Sequence, residues 1–251
     1  MNQREVWENI ARDWNDYRKV PPEEAAEFLA NKSGLVLDLG CGSGRNFILN
    51  APETAAFRRH VLEAHSGSHV QNKPTPLGVG ISEHVIRTDA TVIGTDFSYN
   101  MLGFARKNAK ERGLDVHLAA SDAIALPFKD DSFDAILAFN LLPSVKFNRH
   151  KRVLEEIRRV SRNKAAVFIS VWNRDQPRFH GAKRESFVPW KAGGKEYRRY
   201  YYLYSKGEFQ ALLKKYFKNV KVFGGREKAF KKYSKNIIAI ARVAKHGQRR
   251  K

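Results

Sequence analysis

The sequence predicts an α/β fold built on a mostly parallel sheet, and three observations carry that expectation. Apolar runs of strand length alternate with helix-like patterns along the chain, as parallel strands require, because each connection must cross back over a face of the sheet. The run Val36-Leu37-Asp38-Leu39 enters Gly40-Cys41-Gly42-Ser43-Gly44, a strand leading into a glycine-rich turn that lets backbone approach a ligand closely. Three later runs also end on polar residues: Thr91 to Asp96, His117 to Asp122, and Asp131 to Asn140. Open α/β sheets bind ligands at the carboxyl ends of their strands, so these polar termini mark one shared site. With 251 residues and 42% hydrophobic content, the chain can bury one sizeable core, and a single domain over 1–251 is expected.

The elements follow in order. Residues 4–17 set Val6, Trp7, Ile10, Ala11, Trp14 and Tyr17 near one helical face, and Pro21-Pro22 end that helix. A second helix opens with Glu23 and Glu24, which suit the positive end of the helix dipole, runs through Phe28 and Leu29, and stops at Gly34. The strand ending at Asp38 follows, then a helix from about Arg45. From Gly44 to Asp96 is 52 positions, against about 20 for the usual distance from a glycine loop to a ribose-binding acid. The surplus falls in 55–88, where turn-forming residues between His65 and Gly80 predict a surface insertion. His60, His65 and His69 lie there without cysteines or carboxylates at ligand spacing, so no metal is expected. Helices are predicted for Tyr99–Arg112, stopped by Gly113, and for Arg149–Val160, with Val153, Leu154, Ile157 and Val160 inward. A fifth strand spans Ala166–Trp172, a helix Lys206–Tyr216, and Val220–Phe223 with Ile237–Val243 form a closing pair.

Charge is uneven. The net charge is +20, and from Arg178 onward 22 Lys and Arg face 4 Glu, leaving +18 there and +2 for residues 1–177. The same stretch carries Phe179, Trp190, Tyr197, Tyr200, Tyr201, Tyr202 and Tyr204. Basic residues interleaved with aromatics are the footprint of a surface that follows phosphates and stacks on bases, so nucleic acid is the favoured partner. A lone cysteine, Cys41, rules out internal disulfides and reads as a small buried thiol. The opening Met1-Asn2-Gln3-Arg4-Glu5 lacks the pattern of a secretory signal, and no run reaches the ~20 apolar residues of a membrane span; a cytoplasmic protein without membrane contact is expected.

A dinucleotide fold wants G-x-G-x-x-G/A, but here the last position is Arg45. The spacing Asp38-x-Gly40-x-Gly42-x-Gly44 instead resembles motif I of the class I S-adenosylmethionine (SAM) methyltransferases. That resemblance implies a Rossmann-like sheet of seven strands, mostly parallel, with a C-terminal antiparallel hairpin and helices on both faces. It also implies SAM as cofactor. Asp38 and the glycines would hold its methionine end, Asp96 its ribose hydroxyls, Asp122 and Ala123 its adenine, with Asn140 at the end of the fourth strand completing the site.

Outside the cofactor half, the opening Ile10-Ala11-Arg12-Asp13-Trp14 through Tyr17-Arg18 to Pro21 resembles one family, the tRNA wobble-uridine methyltransferases that esterify 5-carboxymethyluridine. Val188-Pro189-Trp190 and Arg199-Tyr200-Tyr201 through Gly207-Glu208-Phe209 are similar to that family's later blocks, as is the methyltransferase domain attached to an AlkB homologue. Two positions depart. Pro143-Ser144 stands where the family carries two histidines, and Tyr202 where it carries one. The resemblance implies tRNA and a small zinc-binding activator subunit as partners. A carboxylate acceptor needs no general base, only cations to align it. Arg18 and Arg199 are the candidates, with Tyr17 and Tyr200 as stacking or hydrogen-bonding surfaces and Trp190 as packing. The competing readings are a SAM enzyme with a small quinone-like acceptor and a non-catalytic RNA-binding protein on the same fold.

Overall fold

A computed structural model describes residues 2–30, 32–47, 89–227 and 232–245. The expected insertion over 55–88, and the expected helix from Arg45 beyond Phe47, lie outside them; Gly42 to Asn46 form turns.

Strands β1 (Ser33–Leu39), β2 (Asp89–Asp96), β3 (His117–Ala120), β4 (Phe133–Phe139), β5 (Ser161–Trp172), β8 (Lys218–Glu227) and β9 (Lys232–Arg242) make one seven-stranded sheet in the order β3-β2-β1-β4-β5-β9-β8. The first five run parallel, β9 is antiparallel to β5, and β8 is antiparallel to β9. The α/β class and the closing hairpin are thus as expected. Central β1 shows why its sequence reads as unbroken apolar residues. Val36 packs in the cluster with Phe28, Leu29 and Leu102 on one face, and Leu37 in the cluster with Leu154, Ile157 and Phe209 on the other.

Helices α2 (Glu23–Ala30) and α3 (Tyr99–Glu111) cover the first face, and α4 (His150–Val160) and α5 (Lys206–Lys214) the second. Each capped start is local chemistry. Ser98 accepts the amide hydrogen of Met101 at the head of α3, and Ser205 accepts that of Glu208 at the head of α5, each filling one of the donors a helix start leaves open. Helix α1 (Gln3–Tyr17) begins at the Asn2 cap and lies outside the sheet, against α3 and a second sheet.

That second sheet corrects the expectation that the tyrosines from Tyr197 to Tyr204 lie open on a surface to stack on bases. Strands β6 (Glu185–Ala192) and β7 (Lys195–Tyr202) pair as an antiparallel hairpin. Tyr200, Tyr201, Tyr202 and Tyr204 are all buried. Tyr201 stacks on Trp172 at 3.9 Å, Tyr202 on Phe147 at 4.3 Å, and Tyr204 packs on Phe209. These rings fill the gap between the hairpin, the end of β5 and the loop after β4, where burying so much apolar ring area outweighs any use as open platforms.

Candidate cofactor and acceptor site

The site grows from the glycine turn after β1. Gly40 and Cys41 both donate their amide hydrogens to the Thr95 carbonyl, at 2.8 and 2.9 Å, pinning the turn to the end of β2. Gly40 and Gly44, at φ 75° and 77°, are forced by packing, since an added Cβ would meet Leu141 at 2.8 Å or the Phe47 ring at 2.7 Å. Gly42, at φ 55°, would find nothing within 4 Å. Its open side belongs to a cavity of about 830 Å³ that Gly40, Gly42, Asp96, Asp122, Ala123 and Asn140 help to line. Six of the eight residues assigned to a cofactor from sequence therefore share one wall; Gly44 and Asp38 lie behind it.

Asp96 accepts the Gly42 amide on Oδ2 and the Ser98 amide on Oδ1, both at 3.0 Å. Each oxygen keeps a lone pair for a further donor, the pattern a vicinal diol needs. Burial raises its pKa to about 6, against the pull of those amides. Asp38 is fully buried, and its carboxylate accepts both contacts of the Asn46 amide, at 3.2 and 3.4 Å. Burial raises its pKa to about 7, opposed by Asn46 and Arg45. Asn46 stands between Asp38 and the cavity, and its Oδ1 is buried without a partner. The Asn46 Oδ1 is thus open to a donor from a cationic group, with the Asp38 carboxylate behind it. The signal of Asn46 was indirect: a buried carboxylate must find a donor nearby. Together the open backbone at Gly42, the diol-ready Asp96 and the orphaned Asn46 oxygen fit a cofactor with a ribose and an ammonium group.

Asp122 is held by Arg149 at 3.1 Å and by the Ile124 amide. Asn140 takes φ 54°, and its side chain is occupied by Ser170 and Asn236, so its main chain borders the cavity.

The opposite wall comes from α1 and the hairpin. Gln3 accepts the Tyr200 amide at 2.8 Å and donates to the Arg198 carbonyl at 3.2 Å, fastening α1 to β7. Glu8 accepts the Tyr99 and Asn100 amides and the Ser98 hydroxyl at 2.8 to 2.9 Å, fastening α1 to the head of α3. Arg18, Trp7 and Trp14 then face the cavity.

Arg199 is 4% exposed. It stacks on Trp190 at 4.7 Å, Trp14 at 5.3 Å and Tyr201 at 5.4 Å, and donates one hydrogen bond, to the Tyr201 hydroxyl at 3.2 Å. Its Nε and that of Arg18 are buried without partners. Arg178, which the sequence reading passed over, lies on Trp172 and Phe179 at 4.5 and 4.4 Å. Burial, then the fields of Arg18 and Arg178, pull the Arg199 pKa down against the favourable pull of Tyr201. Among the described residues no carboxylate pairs with any of the three arginines.

Of the four residues named for the acceptor, Arg18 and Tyr200 line the cavity and Arg199 and Tyr17 do not. Tyr17 is 65% exposed, edge-on to Trp190 with Arg18 over its ring, outside the cavity lining. Tyr200 lines the cavity, but its hydroxyl accepts the Phe147 amide and donates to Glu185, and burial raises its pKa. At 3% exposure it offers no open face for stacking and serves as wall. Among the described residues no group of His, Cys, Asp and Glu gathers to hold a metal ion, and no helix is long and apolar enough to cross a membrane.

Comparison with known proteins fits this geometry. Residues 77–169 match the family model described as a methyltransferase domain. The DhpI-SAH complex superposes with a TM-score of 0.60 at 18% identity, covering 97% of this chain and 96% of that one. This chain has the class I SAM-dependent methyltransferase fold. SAM is the cofactor that the methyltransferase fold takes, and the glycine turn, Asp96 and Asn46 line the cavity beside one another. Among curated proteins, the demethylmenaquinone methyltransferase of Thermus thermophilus is 43% identical over 72 residues, 28% of this chain and 31% of its own length. The probable tRNA methyltransferase 9B of Bos taurus is 23% identical over 189 residues, 74% of this chain and 32% of its own. The chain spans less than half the length of the curated relatives it matches.

Proposed function

We propose that the protein transfers a methyl group from SAM to an anionic acceptor in tRNA, the carboxymethyl group of a wobble uridine. The observation that carries this reading is Arg199, a guanidinium buried without a counter-ion behind the lining residues Trp14 and Tyr201, sharing the Trp14 ring with Arg18, which does line the cavity. Burying an unpaired charge costs several kcal/mol, and a carboxylate bonded by two guanidinium groups would offset that cost. An uncharged quinone ring would not. The likeness to a probable tRNA methyltransferase runs along 74% of the chain, and the +18 of residues 178–251 suits a polyanion.

In this mechanism SAM supplies an electrophilic methyl on a sulfonium. Asp96 and Asn46 hold the ribose and ammonium ends, and Arg18 and Arg199 orient the acceptor oxygen. The carboxylate is already ionised at neutral pH, so no residue has to remove a proton, and alignment is the main task. Helix α1 closes the cavity over the reacting atoms and limits water.

The test is nucleoside mass spectrometry of tRNA bearing 5-carboxymethyluridine after incubation with SAM, with and without a small zinc-binding activator subunit. The methyl ester should form. Methylation of a quinone with none of tRNA would overturn the acceptor, and tight RNA binding with no methylated nucleoside would favour a non-catalytic role.

A further inference from the structure

Large apolar side chains scattered singly on a surface need no explanation, but one at the wall of a cavity and open to solvent does. Phe187 on β6 is 54% exposed and lines the cavity. It packs edge-on against Tyr200, its cross-strand neighbour, at 5.8 Å. Phe147, in the loop after β4, is 45% exposed and lies between the lining residues Lys146 and Asn148, outside the lining itself, with its amide hydrogen donated to the Tyr200 hydroxyl. Tyr202 backs its other face at 4.3 Å. Lys146 and Asn148 line the cavity as well, and among the described residues no carboxylate pairs with Lys146.

We propose that Phe187, with Phe147, is the platform on which the planar ring of the acceptor stacks, and that Lys146 meets the phosphate beside it. The proposal rests on the anionic, base-bearing acceptor inferred above and names the residues that choose it. Aromatic faces bind any base, so the platform supplies affinity for a flipped-out nucleotide while the arginines read its anionic group. A rigid backing is needed for such a surface. Tyr200 supplies it to Phe187, and Tyr202 to Phe147.

The experiment compares wild type with F187A, F187L and F187Y, measuring KM and kcat for a carboxymethyluridine-bearing anticodon stem-loop and, separately, SAM affinity. Loss of one stacked base should raise KM about tenfold in F187A and in F187L, with F187Y near wild type and SAM binding unchanged. K146A should lower the steepness with which RNA affinity falls with salt by about one phosphate contact. If F187L behaves like wild type, the residue is apolar filler and the platform is refuted while tRNA methylation stands. If the enzyme methylates a free ring compound instead of RNA and F187A loses that activity, the platform stands and the tRNA reading falls. Equal activity of F187A and wild type on every acceptor refutes the platform.

Discussion

Replacing Arg199 by methionine should make the protein more stable and less active. The guanidinium is 4% exposed, and its removal from water costs several kcal/mol. Three aromatic contacts and the single bond to Tyr201 offset part of that, at about 0.5 to 2 kcal/mol each for the rings and about 1 kcal/mol for the bond. Methionine keeps the length and the ring contacts without the charge. We expect R199M to gain about 1 to 3 kcal/mol in denaturant unfolding of the apoprotein, the direction seen when buried charges give way to apolar residues. Methyl transfer should fall about a hundredfold, because the acceptor loses its charge-assisted bonds. Citrate or sulfate should raise the Tm of wild type by more than that of R199M, the shift common to both being the general effect of such anions. An R199M protein that is destabilised by 2 kcal/mol or more, yet keeps kcat/KM, would show that Arg199 is a structural stack and refute the reasoning.

Three further outcomes follow from the same geometry. Asp96→Ala should weaken SAM binding by about 1 to 3 kcal/mol, read by calorimetry, as the ribose loses its acceptor. Asp38 binds protons more readily folded than unfolded, with its pKa moved from 3.8 to about 7, so apoprotein stability from this group falls as pH rises from about 4 to 7. His150, whose pKa burial lowers to about 4, opposes it between about 4 and 6.5, so the quantity to measure is the difference between wild type and Asp38→Asn; that difference should change by up to about 4 kcal/mol, and a flat one would deny the burial of Asp38 as a charge. Glu8→Gln should weaken the grip of α1 on the head of α3, costing about 1 kcal/mol and speeding SAM release in stopped-flow measurements.

The sheet was legible because its central strands are buried on both faces. Val36 and Leu37 point to opposite helix layers, as do Phe168 and Ile169, so composition alone marks them as strands. The glycine turn was legible for a similar reason, since Gly40 and Gly44 have no room for a side chain. The β6–β7 hairpin was not. Its second strand runs Tyr197 in, Arg198 out, then Arg199, Tyr200, Tyr201 and Tyr202 all in, because one face meets α1 and the other the loop after β4. A strand with both faces covered shows no alternation, and a charged residue inside hid it further. Of the candidate acceptor residues, Arg18 and Arg199 could be named from the sequence, although of the two only Arg18 lines the cavity. Asn46 and Arg178 could not, since their roles arise from what lies behind them: the Asp38 carboxylate for one, the Trp172 and Phe179 rings for the other.

Helix α1 is gripped at Gln3 by the acceptor hairpin and at Glu8 by the cofactor layer, less than two turns apart on one rigid rod. Such a rod cannot lift from one neighbour while staying seated on the other. If the acceptor is the proposed tRNA, its wedging against β7 would bar the exit of spent cofactor, and the two products should depart in sequence, nucleic acid first. On that reading turnover at saturating substrate is timed by the release of α1, with the spent cofactor competing against fresh SAM only after the RNA has gone.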